Sequence, residues 1–492
     1  MDLIATLQRL RDLSGPADTV GLSDGALAPF LKEPALLQAA AEALVAREAL
    51  PAEADALVRG PEGAMRAKLQ AGFVNFYPDD TVNPYVPLAA RGPWVVTTHG
   101  AVLHDSGGYG MLGFGHAPQA ILDVMARPWV MANIMTPSVS QQRLEQQLRI
   151  EIGHARAGGC PFHGFIALNS GSEAVTLAAR ISDVNARRLT DPGGRHEGKT
   201  VRLLSLAGSF HGRTDRPAQL SDSTRAKYRA ELRTFRDASP LDTVPPNDLL
   251  ALQAVFDRAD AENVFYEALF MEPVMGEGDP GKAITREFYD LARALTASRG
   301  TLLVIDSVQA GIRAQGTLSF VDYPGFEDAV IPDMETYSKA VNGGQFPLSI
   351  LSLSDKAAAL YVRGIYGNTM TGNPRAMEIA TTVLEQITPA LRTNIRERGA
   401  EFLERFQALQ AEFPSLVTGS QGTGLLISIS FEPGKLKVVG YGGLEEHCRH
   451  TGIGVIHGGT NSLRYTPHFG ITSAEIALMV DNLRAALLHF SA

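Results

Sequence analysis

The sequence predicts an α/β protein in which a mainly parallel sheet lies between layers of helices. Within residues 125–390, strand-like runs alternate with helical stretches, and each run leads into a polar or glycine-containing turn. This alternation is typical of crossover units, which cover both faces of a parallel sheet with helices. The runs are 165–168, 202–206, 264–271, 302–305 and the less apolar 334–337. Because parallel strands end at a common edge, active groups should collect at their carboxyl ends.

The chain divides into four segments. Residues 1–70 are rich in alanine and leucine with proline punctuation, which predicts a helical N-terminal extension. Residues 71–124 carry short strand-like runs and predict the N-terminal part of a smaller domain. Residues 125–390 form the large domain. A long charged helix at 391–413 opens the last segment, 391–492, which completes the smaller α+β domain.

Composition excludes several classes of protein. The chain has 492 residues, of which 45% are hydrophobic and 20% charged, as in a globular protein of two or three structural units. A net charge of -9 gives no electrostatic reason to bind nucleic acid or an anionic membrane. Only Cys160 and Cys448 are present, so no disulfide framework is expected. No segment has the pattern of a signal peptide or a membrane span, and we expect a cytoplasmic protein.

The most informative residues are Asp306 and Lys339. Asp306 ends an aliphatic run, and Lys339 follows the next strand-like run and precedes Gly343 and Gly344. A strand-end carboxylate followed by a lysine suits pyridoxal phosphate, which has a basic ring nitrogen and an aldehyde. A contact of about 4 Å at an effective dielectric near 20 is worth roughly 4 kcal/mol, enough to keep the ring nitrogen protonated. Taken singly, a solvated aspartate and a surface lysine remain ordinary explanations.

Two further segments supply groups for a phosphate and a flat ring. Gly171 and Ser172 stand at a predicted helix start, where backbone N–H groups form an anion site. Phe210 could stack on a ring, and Arg213 could pair with a carboxylate, with His211 between them. An ordinary capped helix, a core phenylalanine and a surface arginine are the alternatives.

Two more residues extend this set. Gln309 stands three residues after Asp306, at the right distance along the turn to contact the ring hydroxyl. Thr369 lies in the turn-rich segment 367–374, whose hydroxyls could donate to a phosphate or belong to a plain loop.

Taken together and in order, these five segments resemble the class III pyridoxal-phosphate-dependent aminotransferases of fold type I. The resemblance runs from about residue 90 to the end, and it is closest to members of the 4-aminobutyrate and ornithine type, which share the aromatic-His-Gly-Arg stretch. It implies a homodimer with shared sites, in which Thr369 contacts the phosphate of the neighbouring subunit. It makes Lys339 the Schiff-base lysine and Asp306 the partner of the ring nitrogen. The cofactor-binding residues that it implies are Gly171, Ser172, Phe210, His211, Asp306, Gln309, Lys339 and Thr369.

The resemblance also bears on the substrate. Arg464 matches the arginine that binds the substrate α-carboxylate, and Glu277 matches a gate that pairs with this arginine. Arg213 would hold the distal carboxylate of a dicarboxylic acid, and Glu272 would support Asp306. These matches imply ping-pong transamination from a terminal ω-amine to 2-oxoglutarate.

Three departures from the family pattern concern the donor. Ser307 stands where many members have glutamate, Gln345 lengthens the segment after the glycine pair, and Tyr109 replaces an aliphatic residue that faces the substrate. An aminomutase, a racemase or a decarboxylating transaminase on the same fold remains an alternative. The alternative from another class is a non-catalytic regulatory protein that binds pyridoxal phosphate.

Overall fold

The structure is a computed structural model that describes residues 2–108, 110–236 and 240–491. Its strands are β1 (Pro87–Arg91), β2 (Trp94–Thr97), β3 (Val102–Asp105), β4 (Gly164–Leu168), β5 (Thr200–Leu206), β6 (Leu241–Val244), β7 (Val264–Met271), β8 (Leu302–Asp306), β9 (Met334–Tyr337), β10 (Ser349–Leu353), β11 (Val417–Thr423), β12 (Leu426–Phe431), β13 (Ile453–Gly454), β14 (Ile456–Gly458) and β15 (Ser462–Tyr465).

Its α-helices are α1 (Leu3–Asp12), α2 (Asp24–Leu27), α3 (Pro34–Glu48), α4 (Ala52–Val58), α5 (Glu62–Gln70), α6 (Gln119–Met125), α7 (Val139–Glu151), α8 (Gly171–Thr190), α9 (Asp215–Leu220), α10 (Arg225–Glu231), α11 (Arg233–Arg236), α12 (Leu249–Ala261), α13 (Arg286–Arg299), α14 (Asp355–Leu360), α15 (Pro374–Glu385), α16 (Pro389–Glu412), α17 (Leu444–His450) and α18 (Ser473–Ser491). Short 3-10 helices are formed by Ala28–Phe30, Asp79–Thr81, Phe320–Asp322 and Lys339–Asn342.

The chain forms two compact units. The first comprises Met1–Gln119 and Glu397–Ala492, and the second is Ala120–Arg396. The sequence predicted a large domain at 125–390, and this division stays a prediction. The strand ends that carry Asp306 and Lys339 both belong to the second unit.

The second unit is built on a sheet with the strand order β4-β10-β9-β8-β7-β5-β6 among the described residues. The pairs from β9 to β6 are parallel, whereas β10 runs antiparallel to both β9 and β4. Strands β7 and β8 are buried along their whole length, which explains their nearly continuous apolar sequences. The expected mainly parallel sheet is therefore confirmed, with one antiparallel strand that the sequence did not reveal.

Helix α8 begins where the strand before it ends because the local sequence caps it. The Ser170 side chain accepts a hydrogen bond from the Glu173 N–H at 3.2 Å, and the Glu173 carboxylate accepts one from the Asn169 N–H at 2.7 Å. These contacts satisfy donors that a helix start otherwise leaves open. The helix start is thereby fixed at the carboxyl end of β4.

The first unit combines both ends of the chain. In the described residues it has two sheets, β1-β2-β3-β13 and β11-β12-β15-β14. Strands β3 and β13 pair in parallel, which joins the N-terminal and C-terminal segments of this unit. Helix α3 packs on β1 and β2, so the N-terminal helices belong to the packed body of the unit. In the ranges that the structure describes, no helix is long and apolar enough to cross a membrane.

Candidate active site

Asp306 is the centre of a buried polar cluster at the carboxyl end of β8. Its Oδ2 lies 2.8 Å from Nδ1 of His211. Its Oδ1 accepts hydrogen bonds from the Thr336 hydroxyl at 2.9 Å and from the Val308 N–H at 3.1 Å. Because a carboxylate oxygen accepts, the His211 ring donates its Nδ1–H to Asp306. The structure thus brings together two residues that are 95 positions apart in the sequence.

Glu272 is a second buried carboxyl near this cluster. It follows β7, and its oxygens accept hydrogen bonds from the N–H groups of Phe210 at 2.9 Å and Gly276 at 2.8 Å. Burial raises the pKa of Glu272 to about 7, and the positive charge of His211 opposes this rise while the negative charge of Asp306 adds to it. Glu272 therefore ties the segment that carries Phe210 to the segment that leads to Glu277.

The start of α8 lies directly beside the Asp306 turn and the Lys339 turn. A Cβ built on Gly171 would lie 2.9 Å from a Val308 methyl and 3.6 Å from the Ser338 Cβ. Gly212 has φ +122°, and a Cβ there would collide with the Ser172 hydroxyl. The two glycines allow three loops to approach one helix start, where the first N–H groups have no partner within the helix.

Lys339 begins a 3-10 helix immediately after β9 and is half-buried. Its φ of +35° is a left-handed value that non-glycine residues seldom adopt. The turn is fixed by the Ser338 and Asn342 side chains, which both donate to the Leu348 carbonyl, at 2.8 and 3.1 Å. Gly343 ends the helix with φ +59°, a conformation that explains the glycine at this position.

The remaining predicted residues of the second unit lie on its loops. Phe210 is half-buried, and the exposed Arg213 guanidinium stands 5.2 Å from the centre of its ring. Glu277 is half-buried. Thr369 is exposed, and its neighbour Asn368 donates to the Glu173 carboxylate at 2.9 Å, which links this loop to the start of α8.

The two other predicted substrate residues are Arg464 and Tyr109. Arg464 belongs to the first unit, where it is buried in β15 between β12 and β14. Tyr109 lies outside the described residues. Next to it, Asp105 accepts hydrogen bonds from the N–H groups of Gly107 and Gly108, both at 3.1 Å, and so shapes the glycine-rich turn.

The two other departures from the family pattern have structural explanations. Ser307 donates to a buried carboxyl, Glu335 on β9, at 2.6 Å. Glu335 also accepts from the Ser319 hydroxyl at 2.6 Å and the Phe320 N–H at 2.9 Å. Gln345 sits in the turn after the glycine pair, where its N–H donates to the Asn342 carbonyl at 3.1 Å. The serine after Asp306 therefore has a hydrogen-bond partner, Glu335, on the neighbouring strand.

Sequence reasoning missed Thr336 and Glu335. Both lie in the run 334–337, which is fully buried although it contains two polar residues in succession. That polarity was the available signal, because buried polar side chains in a central strand need hydrogen-bond partners. Their partners, Asp306 and Ser307, are in the neighbouring strand and the turn that follows it.

Among the described residues, one group of three side chains has the types and spacing of metal ligands: His104, His468 and Glu475 in the first unit. One oxygen of Glu475 lies 3.2 and 2.9 Å from the Nε2 atoms of the two histidines. The other accepts from the N–H and hydroxyl of Thr472, which completes a capping box at the start of α18. These hydrogen bonds occupy both oxygens of Glu475. We therefore interpret the three side chains as a structural hydrogen-bond network.

Known proteins resemble the chain over most of its length. The family model described as aminotransferase class-III matches residues 76–487. An acetylornithine aminotransferase of Xanthomonas axonopodis pv. citri is 28% identical over 394 residues, which cover 79% of this chain and 88% of that protein. A succinylornithine transaminase of Citrobacter koseri is also 28% identical, over 419 residues, which cover 82% of this chain and 92% of the relative.

The fold has solved counterparts as well. The ornithine aminotransferase of Toxoplasma gondii superposes with a TM-score of 0.73 at 19% sequence identity, covering 90% of this chain and 97% of that structure. This similarity identifies the architecture as that of the fold type I enzymes, with the mainly parallel sheet as its core.

Proposed function

Because the chain belongs to the class III aminotransferases, which depend on pyridoxal phosphate, we propose that it transfers a terminal ω-amino group to 2-oxoglutarate. One observation carries the assignment of the site. The start of α8, the Asp306 turn and the Lys339 turn converge around Gly171, at the carboxyl edge of the sheet. A parallel sheet binds its ligands at this edge.

The residues at this edge fit the cofactor. Gln309 Oε1 is buried and has no hydrogen-bond partner among the described residues, as expected of an atom that contacts a ligand. Gly171 and Ser172 stand in the first turn of a helix, which favours a phosphate. Phe210 offers a half-buried ring for stacking. These features support the assignment of Gly171, Ser172, Phe210, His211, Gln309 and Lys339 to cofactor binding.

When bound, pyridoxal phosphate supplies an aldehyde that takes up the amino group and a ring that withdraws electrons. Asp306 would hold a proton at the ring nitrogen, and His211 would orient Asp306 through their hydrogen bond. Lys339 would bind the cofactor covalently and then carry a proton on Nζ during transfer. The reaction would follow a ping-pong course.

The two arginines would bind the acceptor through its carboxylates. Arg464 is fully buried, so a carboxylate bound there would be shielded from water. Arg213 is exposed and rests over the Phe210 ring, where it could meet a distal carboxylate. Glu277 would neutralise an arginine when the donor brings no carboxylate to it.

Thr369 supports a homodimer with shared sites. The loop that carries it is exposed, and Gly372 in the same loop packs against the backbone of Ile134. Around Ile134, large apolar side chains face solvent, with Met131 at 71% and Met135 at 85% exposure. Apolar exposure of this size is typical of a surface that another subunit covers.

The acceptor assignment is tested with 2-oxoglutarate and pyruvate, which differ by the distal carboxylate. A panel of ω-amines first identifies a donor through glutamate formation. Arg464→Ala should then raise the KM for both acceptors at least about 30-fold, because it removes a buried charge partner. Arg213→Ala should lower the preference for 2-oxoglutarate over pyruvate, by a smaller factor because the side chain is exposed.

Arg187→Ala is the matched control, since this arginine of α8 is 81% exposed and pairs with Asp191 just after the helix. An unchanged KM for 2-oxoglutarate in both site variants would contradict the dicarboxylate assignment. An equal loss for the two acceptors in Arg213→Ala would contradict the role of Arg213.

A further inference from the structure

Among the described residues, three hydrogen bonds hold Asp306, and one of them comes from Thr336, which the sequence did not single out as a site residue. Thr336 donates its hydroxyl to Oδ1 at 2.9 Å, and the Val308 N–H donates to the same oxygen at 3.1 Å. His211 approaches the other oxygen, Oδ2, at 2.8 Å. The two oxygens of the carboxylate are therefore occupied unequally.

The register of the sheet places Thr336 beside Asp306. Strands β8 and β9 are parallel, and Asp306 pairs with Thr336 in their ladder. Paired residues project to the same face of a sheet, whereas the preceding residue, Glu335, projects to the other face. Thr336 is fully buried, so water does not compete for its hydrogen bond to the carboxylate.

Acceptor capacity then distinguishes the two oxygens of Asp306. Each carboxylate oxygen accepts about two hydrogen bonds. In the part of the chain that the structure describes, Oδ1 has two donors, whereas Oδ2 has one, from His211. The remaining acceptor site is on Oδ2.

We propose that Thr336 is a positioning residue that directs the ring N–H of the cofactor to Oδ2 of Asp306. Together with the Val308 N–H it fills Oδ1 and prevents the carboxylate from turning. The inference rests on the proposed pairing of Asp306 with the ring nitrogen.

Thr336→Val removes the hydroxyl and keeps the shape of the side chain. The substitution frees an acceptor site on Oδ1 of Asp306. Either oxygen of this carboxylate could then accept from the ring N–H. The effect should depend on the ring nitrogen, because only its N–H pairs with Asp306. A purely structural loss would weaken every cofactor analogue equally.

The experiment compares two ligands on the full-length apoprotein: pyridoxal phosphate and its analogue with C–H in place of the ring nitrogen. Their dissociation constants are measured by absorbance titration in the wild type and three variants. The wild type should prefer pyridoxal phosphate, and Thr336→Val should reduce this preference about tenfold, as expected for the loss of one hydrogen bond to a charged group. Thr336→Ser should restore the preference to within about twofold of the wild type, since it keeps the hydroxyl.

Thr301→Val is the matched control. Thr301 is also buried, and its hydroxyl donates to the Tyr266 carbonyl at 2.8 Å, just before β8 and away from Asp306. It should leave the preference unchanged. Should Thr336→Val not fold, Thr336→Ala takes its place with the same expectation.

Two results would overturn the inference in distinguishable ways. Equal affinities for the two ligands in the wild type would remove the pairing of Asp306 with the ring nitrogen, and the inference with it. A wild-type preference that persists in Thr336→Val, or that falls equally in Thr301→Val, would overturn the role of Thr336 alone and leave the assignment of Asp306 intact.

Discussion

Two buried carboxyls in the second unit share one electrostatic property and differ in their surroundings. Burial raises the pKa of Glu272 and of Glu335 to about 7. Glu335 accepts from the hydroxyls of Ser307 and Ser319 and from one backbone N–H. The donors to Glu272 among the described residues are the backbone N–H groups of Phe210 and Gly276. The charged neighbours of Glu272 are His211 and Asp306.

The difference shows that a raised pKa does not by itself identify a functional group. Glu335 projects to the face of β9 opposite to Thr336 and Asp306, and the hydroxyls that donate to it, those of Ser307 and Ser319, are neutral. Glu272 holds two loops that carry candidate site residues. We therefore expect substitutions around Glu335 to change the stability of the fold. Substitutions around Glu272, Asp306 and Lys339 should change cofactor binding and chemistry.

The largest effect should come from Lys339→Ala. It should remove the visible absorption band of the lysine-bound cofactor and lower transamination by about 10²–10⁴-fold, the usual contribution of a general acid–base group. Lys356→Ala is the control, because this lysine is half-exposed on α14 and contacts Asp333 at 3.6 Å. A persistent band in Lys339→Ala would show that another residue binds the cofactor covalently. It would contradict the expectation that changes around Glu272, Asp306 and Lys339 alter cofactor chemistry.

The stability of the apoprotein should depend on pH through Glu335. The pKa of Glu335 in the folded state, about 7, lies above its ordinary value of 4.5. The stabilisation linked to its protonation is thus complete below pH 4.5 and is lost as the pH rises through 7. The free energy of unfolding should fall by about 3 kcal/mol between pH 5 and 8 from this group.

Glu335→Gln should flatten that slope, as chemical denaturation at several pH values would reveal. The slope that remains should come partly from Glu272, whose pKa is raised in the same direction. An unchanged slope in Glu335→Gln would contradict the raised pKa of this carboxyl.

Cofactor affinity should separate the two carboxyls. In Glu272→Gln only one side-chain oxygen remains to accept from two backbone N–H groups, so Phe210 or Gly276 loses a partner. We expect pyridoxal phosphate to bind about tenfold more weakly. Glu335→Gln is the matched control, because the serine hydroxyls around it can rotate to accept from the amide. Equal losses of cofactor affinity in the two variants would contradict the expectation that Glu272 supports the cofactor site and Glu335 does not.

The smallest effect should come from Ser307→Ala. It removes one neutral hydrogen bond to Glu335 and should cost about 1 kcal/mol of stability, measured by thermal or chemical unfolding. Cofactor affinity should stay within about twofold of the wild type, although Ser307 is adjacent to Asp306 in the sequence. If the binding free energy of the cofactor fell by more than the free energy of unfolding, Ser307 would contribute to cofactor binding rather than to stability alone.

The sequence predicted most of the fold because strand and helix signals are local. The run 264–271 coincides with β7, and the expected long charged helix at 391–413 corresponds to α16. The antiparallel direction of β10 was missed, because strand direction depends on the connection and not on the apolar pattern of Ser349–Leu353.

The candidate site was predictable only in part. Asp306 and Lys339 are evident as polar residues at strand ends, where the parallel sheet collects them. The contact between His211 and Asp306 was not, since it joins distant segments through the order of strands in the sheet. Thr336 escaped notice for the same reason, because its role depends on the register of β9 against β8. The roles of these residues toward the cofactor stay predictions.

The backbone of Lys339 has a consequence for how this enzyme would evolve in the laboratory. A left-handed conformation at a non-glycine residue costs of order 1–3 kcal/mol, and here it falls on the lysine proposed to bind the cofactor. Asparagine and glycine tolerate this conformation far better. Selection of apoprotein libraries for heat resistance should therefore enrich these residues at position 339 and discard the lysine. Selection for turnover should retain the lysine. The two selections should therefore favour different residues at position 339.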